Sequence, residues 1–295
     1  MMKIRIGISP GPAARPEELP AVVDQLERDG VDSLWLSEMV YGPLVEPFVG
    51  MTYALARTTR LKVGFGVAVL PGRNPVLVAK QLTSLAALAP RRVLPVFGLQ
   101  PARRGERAQF PAPPGRRAAL FDESLQLLRL LLTGDEVSFS GEFFRVEGAQ
   151  VGPRPAKPLD VWLGGSAPAA MQRIGRYADG WLGSFRTPAE AAGDVAAIQK
   201  AAGEAGREIE LDHFGISLAV SPDGLPPELI AAAADRRPGV DPSGLAAGSW
   251  AAARALIEAY VDAGLSKFVV RPAGRPASIS QFIDDFRAEL LPLEN

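Results

Sequence analysis

The stretch LKVGFGVAVLPGRNPVLVAKQLTSLAALAP, residues 61–90, contains one complete unit of the fold. It begins with a nearly continuous apolar run at 61–67, which is typical of a parallel strand buried on both faces. Asn74 and Pro75 then predict a helix start, because asparagine favours the N-cap and proline favours the first helical position. The stretch therefore predicts a strand followed by a helix over 74–90.

The same unit recurs along the whole chain. Short apolar runs predict eight strands, over residues 3–9, 33–37, 61–67, 92–98, 160–165, 180–185, 213–220 and 267–273. Helical patterns separate most of them, over residues 16–30, 74–90, 121–134, 168–180, 187–206, 249–264 and 278–291. Eight strands alternating with helices in 295 residues favour an α/β fold of the closed (β/α)8 TIM-barrel type over an open doubly wound sheet. We expect a single domain over 1–295.

Three segments interrupt this alternation and are expected to be insertions. Residues 100–117 form a loop rich in proline and arginine, too long for an ordinary connection, so we expect either a lid or a disordered segment. Residues 136–158 alternate like a surface hairpin and end in a proline-rich link, and residues 221–244 form a polar stretch after the seventh strand.

Composition excludes several functional classes. A net charge of −1 shows no electrostatic signature of nucleic-acid binding, and the absence of cysteine excludes disulfides and a thiol nucleophile. No run reaches the ~18 apolar residues of a membrane helix, and no signal peptide is recognisable. We therefore expect a cytoplasmic protein without nucleic-acid or membrane partners. No histidine or carboxylate spacing predicts a metal site, and His213, at the start of the seventh strand, is expected to be structural.

Candidate functional residues follow from the rule that TIM-barrel sites lie at the carboxyl ends of the strands. Ser37, Glu38 and Met39 follow the second strand. Glu38 could act as a base, as a hydrogen-bond acceptor or as one half of a salt bridge, whereas the Met39 thioether moves no protons. Gly164, Gly165 and Ser166 follow the fifth strand just before a predicted helix; they form either a phosphate cradle or a tight turn that needs glycine for its backbone angles.

Four segments resemble the bacterial luciferase-like monooxygenases, a barrel superfamily that binds FMN or the deazaflavin coenzyme F420. The segments are GVDSLWLSE (30–38), TTRLKVGFGVAVLPGRNPVLVAKQLTSL (58–85), GRRAALFDESLQLLRLLLTGDEVSFSGEFFRVEGAQVGPRPAKP (115–158) and VWLGGSAPAAMQRIGRYADGWL (161–182). The GRNP segment and the later GLSKFVVRPA resemble a subgroup of probable F420-dependent oxidoreductases. An arginine-rich, lysine-poor composition agrees with an actinobacterial source.

The resemblance implies a set of cofactor contacts. It implies that the 164–166 segment holds the coenzyme phosphate, and that a non-prolyl cis peptide at or beside Gly66–Val67 supports the central ring. Glu38 is the expected catalytic residue. The expected cofactor-binding residues are Ser37, Met39, Gly66, Val67, Gly98, Gly164, Gly165 and Ser166.

The chain departs from its relatives at several positions. Met39 stands where many relatives have a histidine, and Pro101 where one F420-dependent branch has an acidic residue. Val96 and Gln100 replace glycines at the fourth strand. The proton donors of that branch are therefore absent from these positions.

These observations predict an oxidoreductase that uses reduced coenzyme F420 for hydride transfer to or from a small organic substrate. The alternatives are an FMN-dependent luciferase-like monooxygenase and a non-catalytic deazaflavin-binding protein. The arginines of the 100–117 loop favour the polyanionic tail of F420 over FMN. The resemblance also implies a possible homodimer.

Overall fold

Eight parallel strands close into a barrel in the computed structural model, which describes residues 2–11, 14–155 and 157–295. The barrel strands are β1 (Arg5–Ile8), β2 (Ser33–Leu36), β3 (Lys62–Val69), β4 (Val93–Gly98), β7 (Trp162–Gly164), β8 (Gly180–Ser184), β9 (Phe214–Val220) and β11 (Lys267–Pro272). They pair in that order, and β11 pairs again with β1. All eight predicted strands are present, and the TIM barrel is confirmed.

Helices surround the barrel on its outer side. They are α1 (Leu19–Asp29), α2 (Pro47–Arg57), α3 (Pro75–Leu88), α4 (Arg117–Thr133), α5 (Pro168–Tyr177), α6 (Pro188–Glu204), α7 (Pro227–Arg236), α8 (Trp250–Asp262) and α9 (Ile279–Leu290). The predicted start of α3 is confirmed, since the Asn74 side chain accepts from the Val76 N–H at 2.9 Å. Among the described residues, no helix is long and apolar enough to cross a membrane.

Two helices, α2 and α7, were not predicted. Helix α2 is almost uniformly apolar and is capped by Glu46, whose carboxylate accepts from the Val49 N–H at 2.9 Å. Helix α7 lies in the stretch expected to be an irregular polar insertion, and Ala233 is its one buried residue. Helix α2 does bury one face, with Phe48, Met51 and Leu55 at helical spacing, whereas α7 is mostly exposed.

The other insertions are ordered. The predicted hairpin is present as β5 (Val137–Ser140) and β6 (Arg145–Ala149), and Glu123 fixes its turn by accepting from three consecutive backbone N–H groups at 142–144. A short strand, β10 (Ala246–Ala247), pairs with β9. The 100–117 loop contains a 3-10 helix over Arg104–Gln109, in which Glu106 is buried. It is therefore a folded segment and not a disordered one.

Successive side chains of each strand point alternately outward and inward. Outward side chains pack against the helices: the Phe65 ring centroid lies 5.0 Å from that of Phe48 on α2 and 5.2 Å from that of Phe97 on β4. Inward side chains form a separate apolar cluster of Trp35, Val96, Leu182 and Val269. This alternation decides which residues can face the mouth of the barrel.

The interior accommodates Trp35 only because neighbouring strands carry glycine. A Cβ atom at Gly64 would lie 2.7 Å from the Trp35 ring, and one at Gly7 would lie 2.7 Å from its indole nitrogen. The indole N–H donates to the Ser33 hydroxyl at 3.0 Å, which fixes the ring. The barrel is thus filled across its middle by one large side chain.

A charged layer closes the amino-terminal end of the barrel. The buried Asp32 carboxylate accepts from Lys62 at 2.7 Å and also pairs with the buried Lys267. Burial alone would raise the pKa of Asp32, but Lys267 and Lys62 outweigh it and hold that pKa well below its usual range. Asp32 is therefore ionised in the folded protein.

We expect Asp32→Asn to lower the free energy of unfolding by about 3–5 kcal/mol, because a buried cation loses its counter-charge. The control Asp24→Asn breaks an ion pair with Arg57 whose side chains are 46% and 43% exposed, and it should cost less than about 1 kcal/mol. Urea unfolding at neutral pH measures both losses, and equal losses would contradict the assignment.

The lowered pKa of Asp32 predicts that the stability lost in Asp32→Asn depends on pH. A carboxyl with a lowered folded-state pKa stabilises the protein fully above its unfolded pKa, about 3.9, and this stabilisation is lost as pH falls through the folded-state value. The stability difference between wild type and Asp32→Asn should therefore be constant near neutral pH and shrink below about pH 4. A difference that grew on acidification would refute this account.

Candidate functional site

The last residues of the barrel strands, with the loops that follow them, form the mouth of the barrel. Because Trp35 and Val269 point into the barrel, Ser37 and Arg271, two residues further along β2 and β11, have the same inward register. Glu38 has the opposite register, shared with the outward-packing Leu36. The Ser37 side chain is therefore directed towards the barrel interior, and that of the adjacent Glu38 towards the surrounding helices.

Four of the expected cofactor residues come together at the ends of β3, β4 and β7. The Gly66–Val67 peptide bond is cis, as the resemblance implied. The pairing of β3 with β4 is irregular at this point. A Cβ atom at Gly98 or at Gly164 would lie 2.7 Å from a γ-methyl of Val67. The three strand ends therefore approach closely around the Val67 side chain, and only glycine fits beside it.

The turn after β7 is held from behind by a buried tryptophan. The Trp181 indole N–H donates to the Gly165 carbonyl oxygen at 2.9 Å, and Trp181 is fully buried. Gly165 has φ +132°, a conformation that other residues rarely adopt. Gly165 and Ser166 are exposed, so one side of this turn is anchored to the protein while the other faces solvent.

Helix α5 begins directly after this turn. Pro168 occupies its first position, and no side chain caps its first turn. A helix N-terminus carries positive potential, which suits an anion. In the first turn of α5, Pro168 has no N–H and the Ala170 N–H donates to the Ala167 carbonyl oxygen at 2.8 Å, so the Ala169 N–H is the one left for a ligand. The residues at 164–166 thus have the geometry of a phosphate cradle as well as the backbone angles of a tight turn.

The Glu38 side chain is buried in the barrel wall and does not line the mouth. Its carboxylate accepts from the Val69 N–H at 2.7 Å and forms an ion pair with Arg73, whose Nε donates to the Val69 carbonyl at 2.9 Å. Burial raises the pKa of Glu38, while the Val69 hydrogen bond and the Arg73 charge oppose the rise. Of the three alternatives open in the sequence, the structure shows both the hydrogen-bond acceptor and the salt bridge, and the acid–base role of Glu38 stays a prediction.

Arg73, from the GRNP segment, links β2 and β3 to the 100–117 loop. Its guanidinium carbon lies 5.5 Å from the centroid of the Phe48 ring and 5.7 Å from that of Phe110. Phe110 is buried, and its carbonyl accepts from Arg117 at 2.7 Å. The Glu38–Arg73 pair therefore fixes the end of β3 and the base of the loop together.

The loop is held over the segment after β2 by its own contacts. The buried Glu106 accepts from the Tyr41 N–H at 3.1 Å, and Arg103 donates to the Tyr41 carbonyl at 2.6 Å. Hence the loop has the position expected of a lid beside the mouth.

Ser37 and Met39 are only half-buried. Ser37 lines a small cavity of about 40 Å³, shared with Ser9 and Trp35, on the β1 side of the mouth. Met39 lies in the segment that leads to Tyr41. Cofactor contact by Ser37 and Met39 remains a prediction.

Arg271, at the end of β11, is a further mouth residue. Within residues 2–11, 14–155 and 157–295, its guanidinium has no hydrogen-bond or ion-pair partner, although burial and the nearby Arg236 charge lower its pKa. Arg236 stacks on the Phe185 ring at 4.8 Å from the ring centroid. Arg271 on β11 and Arg236 on α7 thus lie near each other, and neither has a carboxylate partner among the described residues. The strand-end position of Arg271 is visible in the sequence, but its lack of a partner is not.

The sequence indicated no metal-ligand spacing, but three potential ligands do converge. The ligand atoms of Glu210, Asp212 and His213 lie within 4.8 Å of one another. They lie before β9, at the opposite end of the barrel from the mouth. The His213 ring also packs on Trp162 and makes a 2.7 Å contact with the Asp179 carbonyl, in keeping with the structural role expected for it.

The family model for luciferase-like monooxygenases matches residues 1–236. The chain belongs to this family. It is 38% identical over 177 residues to an uncharacterized protein of Mycobacterium tuberculosis, and the match spans 60% of either protein. It is 26% identical to the F420-dependent glucose-6-phosphate dehydrogenase of Kineococcus radiotolerans, over 94% of this chain and 93% of that one.

Solved structures of similar fold include luciferase-like barrels with either coenzyme. An F420-dependent secondary alcohol dehydrogenase in complex with an F420–acetone adduct superimposes with a TM-score of 0.83 at 19% identity, covering all of both chains. The oxygenating constituent of 3,6-diketocamphane monooxygenase from Pseudomonas putida, in complex with FMN, superimposes with a TM-score of 0.75 at 16% identity, over 100% of this chain and 99% of that one. At such identities the likeness shows the fold alone.

We expect Glu38 and Arg73 to be strongly coupled in stability. A double-mutant cycle of Glu38→Gln and Arg73→Met, measured by urea unfolding, should give a coupling energy of about 1–3 kcal/mol, because either single substitution leaves a largely buried partner unpaired. The control cycle of Arg116→Met and Glu142→Gln, an ion pair about half exposed on both sides, should give less than about 1 kcal/mol. Additive effects at Glu38 and Arg73 would contradict the positioning role.

Proposed function

We propose that this chain is an oxidoreductase that binds coenzyme F420 at the barrel mouth and transfers hydride between it and a small organic substrate. The observation that carries the proposal is the combination of two features on neighbouring strands. One is the end of β3 at the cis Gly66–Val67 peptide, called here the Gly66–Val67 corner, which packs on Gly98 and Gly164. The other is the turn at residues 164–166, before helix α5. Together they offer a support for a flat ring and a cradle for a phosphate.

The comparisons support F420 as the coenzyme. Several relatives from actinobacteria are named F420-dependent glucose-6-phosphate dehydrogenases, and two of them align along 94% of the chain. The structural neighbour with an F420–acetone adduct shares the barrel. These names describe the relatives, and their coenzyme is what we propose for this chain.

The residues at the mouth fit this coenzyme. When bound, F420 supplies the hydride-carrying ring carbon. The chain supplies the Val67 corner to orient the ring, the 164–166 turn to hold the phosphate, and the 100–117 lid to exclude water. Gly164 takes part in both contacts, since it packs on Val67 and begins the turn.

Proton handling needs a different explanation, because the mouth has few groups that titrate. Glu38 is already held by Arg73 and Val69, and Met39 has no proton to give. We propose that Glu38 is a positioning residue and that a proton needed by the reaction comes from the substrate or from water.

The lid arginines favour F420 over FMN, the alternative coenzyme. Arg103 and Arg117 donate to backbone carbonyls, and Arg116 pairs with Glu142. Arg104 and Arg107 are exposed, and in the described part of the chain neither has a partner. These two cations are available to the acidic tail of F420, which FMN lacks.

Arg271 and Arg236 suggest that the substrate is an anion. A largely buried guanidinium without a counter-charge is costly, and a carboxylate or phosphate offers the paired geometry that arginine prefers. Both arginines lie on the far side of the barrel from the Gly66–Val67 corner. We therefore propose that the substrate carries its acidic group towards β11.

The direct test is an activity assay without oxygen. Reduced F420 mixed with the protein and a panel of aldehydes, ketones and enones should be oxidised by at least one member. If no panel member oxidises reduced F420, but the protein converts a member when supplied with reduced FMN and oxygen, the monooxygenase is favoured. Tight binding of F420 without turnover of any member would favour the non-catalytic binding protein.

Trp181→Phe should weaken F420 binding by about five- to tenfold, because the loss of one hydrogen bond to the Gly165 carbonyl, worth about 1 kcal/mol, loosens the phosphate turn. The matched control is Trp250→Phe, since the Trp250 indole N–H is buried without a hydrogen-bond partner among the described residues. Dissociation constants from fluorescence titration measure both effects. Equal affinities in the two variants would exclude the cradle.

Arg271→Met should remove a preference for acidic substrates. For a substrate acid and its matching amide, the ratio of kcat/KM should favour the acid by about 10–100-fold in the wild type and fall towards one in the variant. Arg287→Met removes an exposed arginine of α9 and should leave the ratio unchanged. A wild-type enzyme indifferent to the acidic group would contradict this assignment while leaving the coenzyme assignment intact.

A further inference from the structure

A second cavity lies at the amino-terminal end of the barrel, opposite the mouth. Its volume is about 600 Å³, which is within the range of small-molecule pockets. It is bounded by the first residues of β1, β3, β4, β7 and β11 and by the segments that precede β7 and β9. This end of a TIM barrel usually serves stability, and the proposed coenzyme site makes no use of it.

The floor of this basal cavity is apolar and contains two indoles. Trp162 lines it and packs on the His213 ring, with 5.4 Å between ring centroids. Trp35 lines it from inside the barrel, with the Lys267 ammonium 5.8 Å from the centroid of its ring. Leu94 completes this surface. Flat aromatic side chains of this kind favour a planar ring as ligand.

The wall of the basal cavity is strongly cationic. Its cations are Lys3, Arg5, Lys62, Arg91, Lys157 and Lys267, and its only carboxylates among the described lining residues are Asp160 and Asp212. This excess is local, because the whole chain has a net charge of −1.

The inner cations share few counter-charges. Lys62 and Lys267 both pair with Asp32, and the Arg5 Nε lies 3.9 Å from the same carboxylate. A second nearby carboxyl, Glu294, accepts from the Ile6 N–H, and the Arg5 guanidinium also donates to the Asn295 carbonyl oxygen. On the inner wall, three cations thus face two carboxyls, Asp32 and Glu294, so the excess of positive charge there is small and the unpaired cations lie at the rim.

At the rim, Lys157 pairs with Asp160 at 3.6 Å, but Lys3 and Arg91 have no partner in the described part of the chain. Both side chains are exposed, so they can approach a ligand without breaking an existing contact. A cationic wall over a flat apolar floor suits a molecule that has one aromatic face and one acidic group.

We propose that the basal cavity binds a small aromatic anion, at a site separate from the mouth. Trp35 is the partition between the two, since it lines both this cavity and the small cavity beside Ser37. This site does not depend on the proposed coenzyme or substrate. It adds a second ligand to a barrel whose chemistry takes place at the other end.

The test uses two fluorescent probes of the same ring type on the full chain. Anilinonaphthalene sulfonate carries the anionic group, and N-phenylnaphthylamine lacks it. We expect one sulfonate bound per chain in the micromolar range, and a fall in its affinity of about five- to tenfold in Lys3→Gln/Arg91→Asn. Asparagine is chosen at Arg91 because that residue has φ +64°, which asparagine tolerates. The uncharged amine should lose no affinity in this variant.

Two further variants make the test decisive. Leu94→Trp fills the cavity without a change of charge and should abolish sulfonate binding, with circular dichroism to confirm the fold. Arg28→Asn/Lys200→Gln removes two exposed cations from α1 and α6 and should leave binding unchanged. The proposal is overturned if the wild type does not bind the sulfonate, if Lys3→Gln/Arg91→Asn binds it as well as wild type, or if Leu94→Trp still binds it.

Discussion

The close approach of large inward side chains to glycine is the constraint on which the mouth of this barrel depends. Trp35 fills the interior against Gly64, and Val67 fills the space between the ends of β3, β4 and β7 against Gly98 and Gly164. A Cβ atom at any of these glycines would lie within 3 Å of a neighbour, so the strands would have to separate. The position of the Gly66–Val67 corner, and with it the proposed seat of the coenzyme ring, follows from this packing.

Charge is divided between the two ends of the barrel, and this division explains the choice of residues at each. At the mouth, the acidic Glu38 is withdrawn into the wall and paired with Arg73, which leaves small and apolar groups to face a coenzyme that carries its own redox chemistry. Arg271 is the exception there: it has no counter-charge in the described part of the chain, and the proposal of an acidic substrate rests on this. At the opposite end, Asp32 gathers cations from three strands into a stabilising layer beside the basal cavity.

The sequence predicted the eight strands, the start of α3 and the position of the cis peptide, because each depends on local signals or on a close family resemblance. It did not predict α2 or α7, although α2 buries Phe48, Met51 and Leu55 at helical spacing. Helix α7 buries only Ala233, so tertiary packing adds little to its sequence signal. The direction of Glu38 was readable in principle, since it shares its register with Leu36, but its partner Arg73 lies 35 residues away and only the fold brings them together. The free state of Arg271 was likewise invisible, because the absence of a partner is a property of the assembled barrel.

A fluorescence titration of the purified protein with oxidised coenzyme F420, beside FMN under the same conditions, would show which coenzyme the barrel mouth binds. Our account predicts saturable binding of F420 at micromolar or lower concentration and much weaker binding of FMN. A preference for FMN would contradict the choice of coenzyme. Failure to bind either would mean that this chain shares only its fold and ancestry with the coenzyme-binding members of its family.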